Sequence, residues 1–260
     1  MLEGADKLLD ATGKAIETVP DLYDDSFKPT VQETGKVLSL IPRTINAALV
    51  PLRKWIANKE YSLDETEKLL EKKLEHVGED KIVTPEAYVA VPAIQAISYS
   101  MDNEELRNLY ANLLAKSMNT DTKDFVHPSY VEIIKQMSPL DALVLKDIYD
   151  SIITPVIDLY VRNQEGGEFG HKFNITWMTF ASYDSICVSL DNLIRLGLIE
   201  ISNNHSYKED VTYKFVRDTK DYVAIKTELE ALNKGAVSER KRYIKKTALL
   251  NSFYEICVKE

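Results

Sequence analysis

A chain of 260 residues can bury one large core or two smaller ones, and its 41 acidic against 32 basic side chains leave a net charge of −9. That balance argues against a general nucleic-acid binder, which needs a basic face to replace the counterions on phosphate. Two cysteines, Cys187 and Cys257, give no disulfide framework and no metal-ligand spacing; both lie in apolar helical patterns and read as buried free thiols, as suits a reducing cytoplasm.

Residues 2–19 place Leu2, Ala5, Leu8, Leu9, Ile16 and Val19 at helical steps, and Pro20 stops them. This start is acidic and amphipathic, unlike the basic start and apolar core of a secretory signal. Acidic, irregular sequence follows to residue 34. Residues 35–59 then contain no Asp or Glu but carry Lys36, Arg43, Arg53, Lys54, Lys59 and Trp55. Two readings compete. The segment has the composition of an interfacial membrane helix, and equally of a core helix whose basic side neutralises acidic neighbours. On the first reading the membrane-facing residues are Val37, Leu40, Ile41, Ile45, Leu49, Leu52, Trp55 and Ile56, with Pro42 and Pro51 dividing the helix. No stretch of the chain offers the ~20 consecutive apolar residues of a conventional transmembrane helix.

A helix is expected over 62–77, with Ser62 and Glu65 as a capping box and Gly78 as its stop. Pro85 opens another, reset at Pro92, and Asp102 is the expected cap of a helix over 103–119. After a polar loop, HPSYVEIIKQM forms a short helix in which His127 ends the loop and caps, and Ser138-Pro139 starts the next. The glycine-containing stretch 163–172 reads as a hairpin turn or mobile loop. Residues 182–196 form an amphipathic helix ended by Gly197. LIEIS (198–202) and VTYKFV (211–216) alternate as two strands, so helix, glycine, strand, loop and strand give the pattern of a winged helix. A basic run and an apolar helix close the chain. The expected fold is mainly α: an acidic arm (1–34), a helical part (35–160) and a winged-helix-like α/β part (161–260).

No chemistry stands out. His76, His127, His171 and His205 are scattered without metal spacing, no serine sits in a nucleophile elbow, and Gly166, Gly167 and Gly170 lack the setting of a phosphate loop. No catalytic residue, cofactor or metal ion is expected. The presumptive recognition helix sets Asp184 and Asp191 against Arg195, which repels phosphate, so nucleic acid is not an expected partner of that face. The basic-patch candidates are Arg43, Arg53 and Lys54, together with Arg240, Lys241, Arg242, Lys245 and Lys246; the second group also fits a solvated helix face paired with acids elsewhere.

Glu105-Leu106, Ala111-Asn112-Leu113-Leu114-Ala115, His127-Pro128-Ser129-Tyr130 and Leu140-Asp141-Ala142 occur in order, followed by Leu190-Asp191-Asn192-Leu193-Ile194-Arg195-Leu196-Gly197-Leu198-Ile199 and a terminal helix from Phe253 to Cys257. This set resembles the Abi-alpha family over roughly residues 35–258. The resemblance implies a part in abortive infection and brings no catalytic residues with it. A non-enzymatic defence protein must still disable its host, and permeabilising a membrane needs only an amphipathic segment and self-assembly. The expectation is therefore a cytoplasmic resting form, triggered by a phage protein, that forms a homo-oligomer and moves to the inner face of the cell membrane through 35–57. The alternatives are a winged-helix regulator that binds nucleic acid and an enzyme with a site assembled from dispersed residues.

Overall fold

The computed structural model describes residues 63–97, 100, 103–162, 167–232 and 237–259. The acidic arm, the 35–59 segment and the caps expected at Ser62 and Asp102 lie outside these residues.

Helix α1 (Leu63–Leu74) buries Leu70 and Leu74, and α2 (Ala87–Ile97) carries Pro92 within it. Helix α3 (Glu104–Ser117) is central: every residue from Leu109 to Ala115 is buried. A helix apolar on all sides needs neighbours on all sides. They are α1, α2, α4 (Ser129–Lys135), α5 (Pro139–Asp150) and a π-helical turn at Tyr254–Val258. The cap of α3 is Asn103, one residue later than expected; its Oδ1 accepts the Leu106 N–H at 3.0 Å. The N-cap of α4 is Pro128 rather than the expected His127, which lies one residue earlier with its Nδ1 accepting the Ser129 N–H at 3.1 Å. At α5, Ser138 and Asp141 form a reciprocal capping box.

The chain then forms β1 (Pro155–Arg162), β2 (Glu168–Ile175), α6 (Tyr183–Arg195) and β3 (Ile199–Ile201). Helices α7 (Lys214–Arg217) and α8 (Lys220–Leu232) follow, then β4 (Val237–Lys246) and α9 (Ala248–Phe253), which runs into the π turn. The four strands form one antiparallel sheet in the order β2-β1-β4-β3. Ser182 caps α6, and Gly197, at φ +75°, ends it with the Leu198 N–H bonded back to the Leu193 carbonyl.

Three sequence expectations are corrected here. Residues 211–216 are not a strand. They lie in a 3-10 turn (Asp210–Tyr213) and α7, because Tyr213 and Val216, three apart, are the pair that the sheet's underside buries. The strand that pairs with β3 is β4, so the basic run 240–246 is a strand rather than a helix face. Part of the expected loop 163–172 is β2, whose partner β1 spans residues 155–162.

One core joins α1–α5 to Leu190, Leu193, Ile244, Leu250, Phe253 and Cys257. A second, smaller core lies on one face of β1, where Ile157, Leu159 and Val161 meet Tyr213, Val216, Tyr222 and Leu229. The strand's period of two turns Asp158 and Tyr160 to the opposite face.

Candidate functional site

Asp158 is a lone acid in the apolar run PVIDLYV and is 2 % exposed. A buried carboxylate needs compensation. Arg242, opposite on β4, supplies it: Nη2 donates to Asp158 Oδ1 at 2.9 Å, and Nε lies 2.9 Å from Oδ2. The Asn174 N–H donates to the same Oδ1 at 2.9 Å, and Asn174 Oδ1 accepts from Arg242 Nη2 at 2.5 Å. Reaching both partners puts Asn174 at φ +60°, where the β1–β2 register shifts on either side of Leu159. Asparagine tolerates this left-handed conformation better than other non-glycine residues, and such bulges re-aim side chains.

Arg242 thus forms the rigid floor of an open groove of about 660 Å³, lined also by Phe173, Asn174, Tyr183, Cys187, Asp191, Ile194, Ile201 and Asn203. Helix α6 is stapled to β2 along one wall. The Tyr183 hydroxyl donates to the Phe173 carbonyl at 2.7 Å and accepts the Phe173 N–H at 3.2 Å, while Cys187 Sγ lies 3.6 Å from the same carbonyl. Burial pushes both the Tyr183 hydroxyl and the Cys187 thiol above their ordinary ranges, which makes the thiol a poor nucleophile. The outer face of α6 alternates Asp184, Val188, Asp191 and Ile194, all exposed. Arg195 is engaged elsewhere, donating to Gln136 Oε1 at 2.7 Å and Asn192 Oδ1 at 2.6 Å.

Phe173 carries the groove outward. Its ring meets Tyr160 edge-on at 5.9 Å, and the Arg240 guanidinium lies 4.5 Å over the Tyr160 ring. Gly170 makes the room: a Cβ there would fall 2.3 Å from the Phe173 ring.

The structure divides the basic run between two faces. Arg240 and Arg242 join the groove side. Lys241 meets Asp210 at 2.5 Å on the other, Lys245 pairs with Glu200 at 3.1 Å, and Lys246 donates to the carbonyls of Tyr149 and Ser151 at 2.6 and 2.9 Å. The candidates Arg43, Arg53 and Lys54, and the membrane-facing residues of 35–57, lie outside the described residues. The sequence reading missed Asp158, Tyr160, Phe173, Asn174 and Tyr183. One signal was present: an acid inside an apolar strand demands a buried cation, and the alternation of β4 supplies one.

The motifs that carry the resemblance meet in space as joints. Asn112 Nδ2 donates to the Cys257 carbonyl at 2.9 Å. The Tyr130 hydroxyl is 2.5 Å from Ser252 Oγ, with its ring edge-on to Phe253. Asn192 Nδ2 donates to Asp141 Oδ2 at 2.9 Å, tying α6 to the cap of α5.

Comparison with solved structures finds an uncharacterized protein from the hydrocarbon-degrading marine bacterium Alcanivorax borkumensis, 14 % identical, with a TM-score of 0.34 over 54 % of this chain and 96 % of that one. No curated protein matches the chain. A sequence model of the family described as abortive infection alpha matches residues 58–257, a narrower span than the 35–258 of the resemblance and one that leaves 35–57 outside. These residues take in all the joints just described, and the chain belongs to the abortive infection alpha family, whose role is phage defence.

Proposed function

We propose that this member of the family is a non-enzymatic switch whose folded body reads an infection signal and whose 35–57 segment acts on the membrane. The observation that supports a reading body is the groove: it is open, and its floor is held by the buried Asp158–Arg242 ion pair. No helix among the described residues is long and apolar enough to cross a membrane. Membrane action belongs to the apolar, basic 35–57 segment, with self-assembly following the trigger. In the resting state the acidic flanks 21–33 and 60–80 shield the basic segment.

The test is phage challenge of cells with a membrane-potential dye recorded. Ile45→Glu with Leu49→Glu places two charges on the inserting face, each costing about 3 kcal/mol at membrane depth. Protection and depolarisation should both be lost. A double variant that is folded by circular dichroism, still protects and still depolarises would remove the segment from the mechanism.

A winged-helix regulator of nucleic acid is the second reading, favoured by one observation: three strands in the order β1-β4-β3 beside α6. The exposed Asp184 and Asp191 oppose duplex phosphate at that helix, so purified protein should bind duplex DNA weakly or not at all. Tight, sequence-selective gel shifts would promote this reading.

A further inference from the structure

We infer that the Arg242 groove binds a free ribonucleotide, its base laid against Phe173, its ribose hydroxyls toward Asp191 and its phosphate at Arg242 and Arg240. This rests on the proposed role of the groove as the sensor and names the chemistry it reads.

Each contact has its own observation. Arg242 commits Nη2 to Asp158 and Asn174, with Nε 2.9 Å from the Asp158 carboxylate, and among the described residues no hydrogen bond takes Nη1, while the residue lines the groove. Arg240 sits two residues away on the same face of β4, roughly 7 Å along the strand. It is exposed and lies over Tyr160. Held over that ring, its guanidinium sets a second cation beside Arg242 for the phosphate. Phe173 is 44 % exposed yet held at both backbone polar groups by Tyr183 and seated on Gly170, so it offers a preset aromatic face. Asp191 lines the wall as an acceptor, the role a carboxylate plays toward ribose hydroxyls in dinucleotide sites. The left-handed Asn174 is what orients Arg242, and strain of this kind gathers at ligand sites. The groove's volume lies within the range of about 300–1,000 Å³ typical of small-molecule sites. Asp184 and Asp191 decide against a nucleic-acid strand, whose successive phosphates would run along an acidic rim; one nucleotide brings its charge to a single point.

The experiment is calorimetric titration of the full chain with ATP, GTP, CTP and UTP, with their 2′-deoxy forms, and with a short oligothymidylate. At least one ribonucleotide should bind saturably below millimolar concentration. Phe173→Ala and Arg240→Ala, both at exposed positions and both checked for folding by circular dichroism, should each weaken binding about tenfold or more. Asp191→Asn should bring the ribonucleotide down to the level of its deoxy form. Heat from none of the nucleotides at millimolar concentration would overturn the inference. So would an affinity unmoved by both Phe173→Ala and Arg240→Ala, or tighter binding of the oligothymidylate than of any free nucleotide. Phage challenge separates this inference from the reading beneath it. If no nucleotide binds but Phe173→Ala abolishes protection, the groove is a sensor of other chemistry. If a nucleotide binds and the variant protects fully, the ligand stands and the sensor role falls.

Discussion

The two cores of this protein are held by different means. The larger, around α3, is almost wholly apolar; Leu113, Leu114, Ile94, Leu70 and Phe253 are each at most 1 % exposed. The smaller, under β1, is edged by an ionic knot. Arg217 donates to Glu239 at 2.6–3.1 Å and to Asp210 at 2.9 and 3.0 Å, Lys241 adds a second cation to Asp210, and the Tyr222 hydroxyl donates to Glu239. Burial of methylenes is indifferent to pH, whereas charge pairing responds to pH and is screened by salt. The first core therefore sets global stability. The second decides how firmly α7 and α8 are tied to the sheet whose far face carries the groove.

Breaking the first core should have the largest effect. Leu113→Ala leaves a cavity where that side chain packs and should cost about 2–5 kcal/mol, read as a lower midpoint in urea with the slope unchanged. Arg217→Ala should cost less, about 1–3 kcal/mol, because Arg217 is partly exposed while Glu239 is left half-buried without its cation. Its signature is local. Amide exchange should rise in 210–232 and 237–246 but not in 104–117, and equal loosening of both regions would dissolve the distinction between the cores.

Acidification should sharpen the comparison. Burial works to raise the Glu239 carboxyl, but Arg217 and Tyr222 prevail and hold it below its usual range. Arg217 and Lys241 hold Asp210 well below. Groups with lowered folded values stabilise above the unfolded value and lose that contribution as pH falls through the folded one, so the knot should weaken below about pH 4. Asp147 on α5 runs the other way. Burial raises its carboxyl, so its charged form costs stability at neutral pH and protonation relieves it. Exchange measured at pH 7 and again near pH 3.5 should show the sheet side loosening before α3; the reverse order would contradict the assignment. The smallest effect is expected at Gly197→Ala, about 1–2 kcal/mol, since φ +75° there suits glycine and a Cβ would find room, its nearest neighbour being Leu249 at 3.7 Å.

Local signals carried the helical half of the fold. Ser138-Pro139 with Asp141, Ser182 and Gly197 mark helix ends through bonds to residues within a turn of themselves, and such bonds are legible in a single sequence. The sheet was less so. VTYKFV alternates as a strand does, yet Tyr213 donates its hydroxyl proton to the Arg242 carbonyl, a partner that no local pattern reveals. The basic run 240–246 looked like a solvated helix face because its acids, Asp158, Glu200 and Asp210, come from three separate elements. The groove was hidden for the same reason: Phe173, Asp191 and Arg242 meet only once β2, α6 and β4 are in place.

The bond from Asn112 to the Cys257 carbonyl joins residues 145 positions apart. A buried amide must wait for that partner, and α3 cannot close its last side until α9 and the π turn arrive. Loop-closure entropy over such a span comes before any reward from the contact, which slows folding. A growing chain therefore holds the inner face of α3 exposed until Cys257 has been made. The larger core is thus the last part to be finished, and until then its apolar helices offer surface of the kind that drives aggregation.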